Sequence, residues 1–285
     1  MDSVNTDLVA RMKRRRMQLQ RLEGLRVMDD DFMRCVLKNN LPLAQHILRI
    51  ITGIEDLTLV YEETQYDIKA LDGAHSVALD TFGVDVKGTE YDLEVQTGSD
   101  ANPKRLRYYS AITDVAALPA GSDYSVLPEQ WVVFIMEKDP YSEGKGTYLY
   151  ARTDLQSGRR LDDGTNILYA NGSYRGNDSL GSLMADFCQS DPDLIRDELL
   201  RKRVHYLKKT PEGRSEMCQA FEDTYNEGFQ QGREQGMEQG REQGREQNLL
   251  KNAKSVMDKL AYTAQEALSL LNVPASEQPR YLKML

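Results

Sequence analysis

Two carboxylates and an amide stand at spacings that could support chemistry in the stretch 77–96 of this sequence, namely Asp80, Glu94 and Gln96. The stretch reads as two short β-strands joined by a turn. Alternation of side chains places Glu94 and Gln96 on one face of the second strand, together with Asp92. Paired strands bring facing side chains to about 5 Å. Carboxylates that close repel each other, and a divalent cation is the usual charge between them, so the spacing raises the hypothesis of a metal site.

The register of this hairpin decides which side chains face each other. A turn centred on Lys87 places Asp80 opposite Glu94, and a turn centred one residue later places it opposite Gln96. A two-residue turn places it opposite Val95 instead and points its carboxylate away. Acidic residues are also common on the solvent face of a hairpin, so spacing alone leaves a metal site and a solvated face both open.

Length and composition are those of a globular protein with one large domain or two smaller ones. The chain has 285 residues, of which 40% are apolar. No apolar run approaches the roughly 18 residues that span a bilayer, and the N-terminus lacks the basic start and apolar stretch of a signal peptide. We therefore expect a cytoplasmic protein with no membrane partner.

Zinc and nucleophile chemistry have little support. The cysteines and histidines are scattered at spacings that match no zinc motif, disulfide framework or Ser-His-Asp set. The formal net charge of −9 argues against a protein that coats nucleic acid by bulk electrostatics. Basic clusters do occur at 11–16, 104–107 and 201–209, and a solvated helix face explains any one of them. The cluster at 104–107 follows the acidic hairpin most closely.

Hydrophobic periodicity and capping residues predict the order of the elements. Helices are expected at 5–26, 32–38, 43–51, 102–118, 178–188, 192–207 and 213–230. Strands are expected at 56–61, 65–70, 76–84, 90–96, 131–136, 148–151 and 166–170. The strand at 131–136 is the most apolar and is expected to be central in the sheet. This order predicts an α/β (α+β) core that ends near residue 207.

Glycine recurs every four residues beyond this core, within units such as Gly-Arg-Glu-Gln, at Gly228, Gly232, Gly236, Gly240 and Gly244. Each glycine costs a helix about 1 kcal/mol relative to alanine, whereas Arg, Glu and Gln favour helix. We expect an exposed helical spacer, with a contact between copies of the chain as the alternative. Short helices are expected in the tail that follows, at 249–262, 264–271 and 277–285, either as a docking element or as a helix-turn-helix.

Several pieces of the chain resemble one family. In order they are Asp30-Asp31-Phe32, the run 48–54, Leu79-Asp80, Glu94-Val-Gln96, Pro103-Lys-Arg-Leu-Arg-Tyr-Tyr109, Val133-Phe-Ile135 before Asp139-Pro-Tyr141, and the Gly-Arg-Glu-Gln units. No single piece is specific, but their order and spacing together resemble the PD-(D/E)XK nuclease family transposases, also called Rpn recombination-promoting nucleases.

The resemblance implies a restriction-endonuclease-like mixed sheet flanked by helices, with a C-terminal helical extension. Together with the element order, it divides the chain into four parts. These are a basic N-terminal helix at 1–27, a nuclease-like core at 28–207, the Gly-Arg-Glu-Gln helical spacer at 208–247 and a small helical tail at 248–285.

The activity implied by the resemblance is Mg²⁺-dependent endonuclease cleavage of DNA, with Mn²⁺ as a substitute. On this mapping Asp80 and Glu94 are the catalytic acids and metal ligands, and the Val95 backbone carbonyl is a further ligand. Oxygen ligands suit a hard cation, which polarises the phosphoryl group and activates a water. Gln96 stands where the wider superfamily has Lys. Its amide can orient that water but offers neither charge nor a titratable base.

Nearby residues would then supply more of the positive charge. Lys104 and Arg107, at the start of the helix after the hairpin, are candidates for phosphate or DNA contact, as is Tyr108. Asp31, at the start of the first core helix, is a candidate for an additional acid. Ala78 stands where relatives often have Arg, so one cationic contact is missing in this chain.

Two other functions stay open beside a DNA endonuclease. A degenerate relative would bind nucleic acid or a protein without cutting, because Gln96 replaces the usual Lys. A structural helical adaptor would explain only the repeat segment and tail. Cutting both strands of DNA usually needs two sites, so a homodimer is expected if the chain is an active enzyme.

Overall fold

The computed structural model describes residues 2–68, 77–97 and 102–285. Their helices are α1 (Asp2–Gly24), α2 (Asp30–Leu37), α3 (Leu41–Thr52), α4 (Pro103–Ala117), α5 (Ser179–Phe187), α6 (Glu198–Lys209), α7 (Pro211–Leu260), α8 (Ala264–Leu270) and α9 (Gln278–Leu282). Their strands are β1 (Leu59–Ile68), β2 (Val77–Asp85), β3 (Glu90–Gln96), β4 (Gln130–Met136), β5 (Thr147–Tyr150) and β6 (Thr165–Asn171). The chain forms two compact units, Met1–Ala220 and Phe221–Leu285.

A six-stranded mixed sheet, in the order β1-β2-β3-β4-β6-β5, is the centre of the first unit. Strands β3, β4 and β6 are parallel, and β1, β2 and β5 pair antiparallel with their neighbours. Every residue of β4 is buried between β3 and β6, as expected of a parallel strand covered on both faces. The mixed α/β class and the central position of the apolar strand are thus confirmed.

Helix α4 makes the crossover that the parallel pair β3 and β4 requires. The Asn102 side chain caps its first turn by accepting a hydrogen bond from the Lys104 backbone N–H, and Pro103 occupies the first helical position. Leu106 is buried in one cluster with Phe134 of β4 and further residues of β5 and β6. The packing of Leu106 therefore brings the first turns of α4 against the face of the sheet that carries Phe134.

A buried lysine holds helices α1, α2 and α6 together. Lys208 of α6 is fully buried, and its Nζ donates to the backbone carbonyls of Glu23 at 3.2 Å, Leu25 at 2.5 Å and Ser190 at 2.6 Å. The same ammonium lies 5.1 Å from the centre of the Phe32 ring on α2. A buried charge is tolerated only when its donors are satisfied. Lys208 thus fixes helix α2, which carries the acidic residues at its start, to α1 and α6.

Two predicted divisions between elements are wrong. The strands expected at 56–61 and 65–70 form one strand, β1 (Leu59–Ile68), which continues through the half-buried Glu62 and the exposed Glu63 at the edge of the sheet. Residues 69, 70 and 76 of the predicted strands lie outside the described residues. The helix expected at 213–230, the glycine repeat and the next helix form the single helix α7 of 50 residues. Its Arg, Glu and Gln residues continue the helix through each glycine.

The second unit has a small apolar core of its own. Ala253 of α7 packs with Ala267, Leu268 and Val273. Helix α8 starts with a capping box, in which Thr263 and Glu266 satisfy each other's backbone N–H groups. Short helices in the tail are therefore confirmed. No helix among the described residues is both long and apolar enough to cross a membrane.

Candidate metal and catalytic site

The turn between β2 and β3 sets the register of the hairpin. The Asp85 carboxylate accepts hydrogen bonds from the backbone N–H groups of Lys87 and Thr89, at 2.8 and 2.9 Å. Gly88 has φ +84°, the left-handed conformation that closes a three-residue hairpin loop. The Asp85 N–H donates to the Thr89 carbonyl at 3.0 Å, so the loop contains three residues and is centred on Lys87.

This register places the two predicted acids opposite each other. The ladder ends at the pair Thr81 and Leu93, and the same register continued by one residue sets Asp80 against Glu94. The Asp80 backbone N–H donates to Glu94 Oε1 at 2.8 Å, and the Val95 N–H donates to Asp80 Oδ2 at 3.3 Å. The Lys87-centred alternative is therefore confirmed and the two-residue turn is wrong. Each acid binds the backbone of the opposite strand, so both are held by the ladder.

An arginine from α4 faces the acidic strand. Arg105 Nη1 donates to Gln96 Oε1 at 2.5 Å, and Arg105 Nη2 donates to Glu94 Oε2 at 3.2 Å. Its guanidinium lies 5.0 Å from the ring centre of Tyr109 and 5.2 Å from that of Phe134, within the range of cation–π attraction. The Glu94 side chain is 2% exposed and that of Arg105 is 40% exposed. Arg105 thus forms the outer, cationic wall over a buried carboxylate.

A second arginine approaches from α2. Arg34 Nη2 donates to Asp30 at 3.0 Å and to Asp31 at 3.2 Å, and its Nε lies 3.8 Å from Asp80 Oδ1. Asp31 is also bonded to Arg21, at 3.0 Å. The negative charge of Asp30 raises the pKa of Asp80, whereas Asp31 reaches the site only through Arg34. The neighbouring residue Asp30 is therefore the helix acid that acts directly on Asp80.

Asp92 completes the acidic cluster and carries the least satisfied charge in it. It is 3% exposed, and neither carboxylate oxygen has a hydrogen-bond partner among the described residues. The adjacent carboxyl of Glu94 becomes a partner only if one of the two groups holds a proton. Alternation along β3 had placed Asp92 on the same face as Glu94. Only its burial and the missing donors show that it is an uncompensated charge of the site.

The cluster holds more negative than positive charge in a low-dielectric site. Burial, followed by repulsion from Asp30, raises the pKa of Asp80 to about 7 despite the attraction of Arg34. Burial raises the pKa of Glu94 well above its usual range, and the charges of Asp92 and Asp80 raise it further. Burial and the charge of Asp80 likewise raise the pKa of Asp92. These carboxyls share protons and titrate as one group.

A hard divalent cation fits this donor set. Among the described residues no three His, Cys, Asp or Glu side chains stand together in a ready-made metal cluster. The fit comes from the buried acceptors that lack donors, namely both oxygens of Asp92 and Oδ1 of Asp30, beside the paired carboxylates of Asp80 and Glu94. Carboxylate oxygens with spare acceptor capacity and surplus negative charge are what Mg²⁺ prefers.

The residues of α4 that were predicted to contact DNA lie on the side of the helix that faces away from the carboxylates. Lys104, Arg107 and Tyr108 are exposed, whereas Arg105 and Tyr109 face the carboxylates. DNA contact by the three exposed residues stays a prediction. Arg105 and Tyr109 are four apart and therefore share one helix face. That spacing was visible in the sequence, but which face packs on the sheet depends on the burial of Leu106.

The shared protons predict a pH dependence. The folded state binds more protons than the unfolded state between pH about 4, where an ordinary carboxyl titrates, and about 7, the pKa of Asp80. Stability without metal therefore falls as pH rises through this window. We expect Asp92→Asn to raise the free energy of unfolding at pH 8 by about 1 kcal/mol or more, with a smaller gain at pH 5.

Thermal unfolding in EDTA from pH 5 to pH 8 measures this difference. Asp162→Asn is the matched control, because Asp162 is exposed and its substitution should leave the melting temperature unchanged. A lower melting temperature for Asp92→Asn at pH 8 would contradict the surplus of buried negative charge.

Comparison with known proteins identifies no relative. No family model, no curated protein and no solved structure matches this chain. Function is therefore inferred from the chemistry of the cluster formed by Asp80, Asp92 and Glu94 with Arg34 and Arg105.

Proposed function

We propose that this protein is a metal-dependent endonuclease that hydrolyses phosphodiester bonds in DNA. The observation that carries the proposal is the pairing of Asp80 with Glu94 across the hairpin, with the Arg105 guanidinium bonded to both Glu94 and Gln96. Paired carboxylates supply cation ligands, and an adjacent exposed guanidinium supplies the charge that a phosphate diester needs. The combination suits phosphoryl chemistry better than acyl or glycosyl transfer.

The metal-binding role falls to Asp80, Glu94 and the backbone carbonyl of Val95, with Mg²⁺ as the expected ion and Mn²⁺ as a substitute. When bound, the ion supplies a Lewis acid for the phosphoryl oxygen and lowers the pKa of a coordinated water. Asp92 and Asp30 add negative charge around these ligands and strengthen the attraction for a dication. The chain's net charge of −9 provides no bulk electrostatic attraction for DNA, so local contacts must supply the affinity.

Arg105 takes over the electrostatic role expected of the missing Lys. Its side chain is 40% exposed, against 2% for Glu94 and 24% for Arg34, so a phosphate that approaches Glu94 meets this guanidinium first. The side-chain oxygen of Gln96 accepts a hydrogen bond from Arg105 and holds the guanidinium in place. The side-chain N–H₂ of Gln96 is then left to donate to a water or a phosphate oxygen. Gln96 is thus a positioning residue for Arg105 rather than a weakened copy of Lys.

One observation favours a second candidate, a binding module that does not cut. Both oxygens of Glu94 already accept hydrogen bonds, from the Asp80 N–H and from Arg105. If Arg105 never yields Glu94 to a cation, the site would hold a phosphate without hydrolysing it. DNA remains the proposed partner in either case. A homodimer is proposed for the active enzyme, since cutting both strands needs two sites.

Nicking of supercoiled plasmid tests the proposed activity. We expect wild-type protein to nick DNA with Mg²⁺ or Mn²⁺ and not with EDTA. Asp80→Ala and Glu94→Ala should each lower the rate by at least about 100-fold, because each removes a cation ligand. Asp162→Asn, remote from the proposed ligands, should leave the rate unchanged. Activity that survives both alanine substitutions would disprove the site. DNA binding without nicking by clean wild-type protein would favour the binding module.

A charge exchange between Arg105 and Gln96 tests the role of the arginine. Arg105→Ala should lower nicking by about 100-fold, since it removes one preorganised cation from the reacting phosphate. Gln96→Lys alone should also lower activity, because its ammonium would stand against Arg105 at hydrogen-bond distance. The double variant Arg105→Ala/Gln96→Lys should recover part of the loss.

Arg159→Ala is the matched control for this exchange, because Arg159 is an exposed arginine in the segment before β6 and has no proposed role in the site. A double variant no more active than the two single variants would refute the idea that Arg105 replaces Lys. So would an Arg105→Ala protein as active as wild type.

A further inference from the structure

A row of side chains connects the acidic site to the opposite edge of the sheet. Glu94 of β3 is in register with Phe134 of β4, Phe134 with Tyr169 of β6, and Tyr169 with Tyr148 of β5. Residues in register on neighbouring strands point to the same face. Three strand spacings of about 4.8 Å place Tyr148 about 14 Å from Glu94. The site and the β5 edge therefore lie on one face of the sheet, and the row between them is buried beneath Leu106 of α4.

Aromatic rings continue along this row. Phe134 stacks under Arg105, and its ring centre lies 6.4 Å from that of Tyr169. Tyr169 in turn contacts Tyr141 at 5.9 Å and Tyr150 at 6.1 Å, in nearly perpendicular arrangements. Phe134 and Tyr169 are buried, whereas Tyr141 is 38% exposed and Tyr150 is 44% exposed. The rings are therefore buried near the site and partly exposed at the β5 edge of the sheet. We call the open pair Tyr141 and Tyr150 the tyrosine platform.

The loop that presents the platform is preorganised. The Asp139 carboxylate accepts hydrogen bonds from the backbone N–H groups of Tyr141, Ser142 and Gly144, at 3.0, 3.0 and 2.7 Å. It also accepts from the Tyr148 hydroxyl at 2.7 Å. One side chain therefore holds the loop in shape and ties it to β5. Rings held in advance lose little entropy when a ligand stacks on them.

We propose that the tyrosine platform binds unpaired bases of a single-stranded segment whose backbone leads to the carboxylate site. Partly exposed, fixed aromatic rings are the stacking surfaces that single strands use, whereas bases within a duplex have no free face to offer. Lys145 lies over the ring of Tyr148 at 5.7 Å and is paired with Glu143 at 2.7 Å, so the platform offers ring surface rather than net positive charge. The choice of nucleic acid as the ligand rests on the proposed function.

Fluorescence anisotropy of the full-length protein, in EDTA, tests this inference with a labelled oligothymidylate and the same strand paired in a duplex. The double variant Tyr141→Ala/Tyr150→Ala should weaken single-strand binding by at least about 5-fold, because stacking contributes about 1–3 kcal/mol per base. Duplex affinity should change little. Tyr141→Phe/Tyr150→Phe keeps both rings and should bind like wild type. Tyr124→Ala is the matched control, because Tyr124 is 79% exposed outside the platform.

Equal single-strand affinity for wild type and the double alanine variant would overturn the inference, as would equal losses on single strand and duplex. A wild-type protein that binds no single strand overturns it too and leaves the platform as a protein contact. Because no cleavage occurs in EDTA, the outcome is separate from the nuclease test. Ring-dependent binding without plasmid nicking would retain the platform and reject the nuclease. Plasmid nicking by a protein whose single-strand binding does not depend on the two rings would retain the nuclease and reject the platform.

Discussion

Burial of three carboxylates beside only two guanidinium groups is the constraint on which the site depends. Asp80, Asp92 and Glu94 are removed from water by the sheet and α4, and Arg34 and Arg105 offset only part of their charge. A low-dielectric site with surplus negative charge must hold protons or a cation. In the proposed function, the same imbalance that destabilises the fold at neutral pH is what attracts a dication. Stability and proposed function are opposed here, as is common at active sites.

The scaffold around the cluster serves to hold these charges in place. The Gly88 loop fixes which residues of β2 and β3 face each other, and the buried Lys208 holds α2 against its neighbours. Helix α4 presents Arg105 because Leu106 buries the adjacent side of its first turn. Each contact lies outside the cluster and sets its geometry. Electrostatic preorganisation of this kind is what makes a charged site effective on a phosphate.

The sequence predicted the class of fold and the position of the hairpin, because alternation and capping signals are local. Asp85 and Gly88, which close the turn, were visible in the sequence. Three registers of the hairpin nevertheless remained possible until the structure showed a three-residue loop. The sequence could not show that Arg105, rather than Arg107, faces the carboxylates, because the packing of α4 on the sheet decides which arginine does. The missing donors around Asp92 were hidden for the same reason, because they depend on residues far apart in the chain.

The longest helix, α7, shows how local helix propensity should be read from a sequence. Glycine every four residues predicted a marginal helical spacer set between separate helices; the repeat is helical as predicted, but it belongs to one unbroken helix, α7, from Pro211 to Leu260. Summed propensity over the Arg, Glu and Gln positions is a better guide than the cost of each glycine. Single penalties matter less in a long helix, because nucleation is required only once.

Isothermal titration calorimetry with Mg²⁺, near pH 7 and in two buffers of different ionisation enthalpy, tests the central claim most directly. A cation that enters the cluster must displace protons held by Asp80, Asp92 and Glu94, so the observed heat should depend on the buffer and report proton release. Asp80→Asn should abolish the binding heat, whereas Asp162→Asn should preserve it. Absence of Mg²⁺ binding by the wild-type protein, or binding without proton release, would contradict the account.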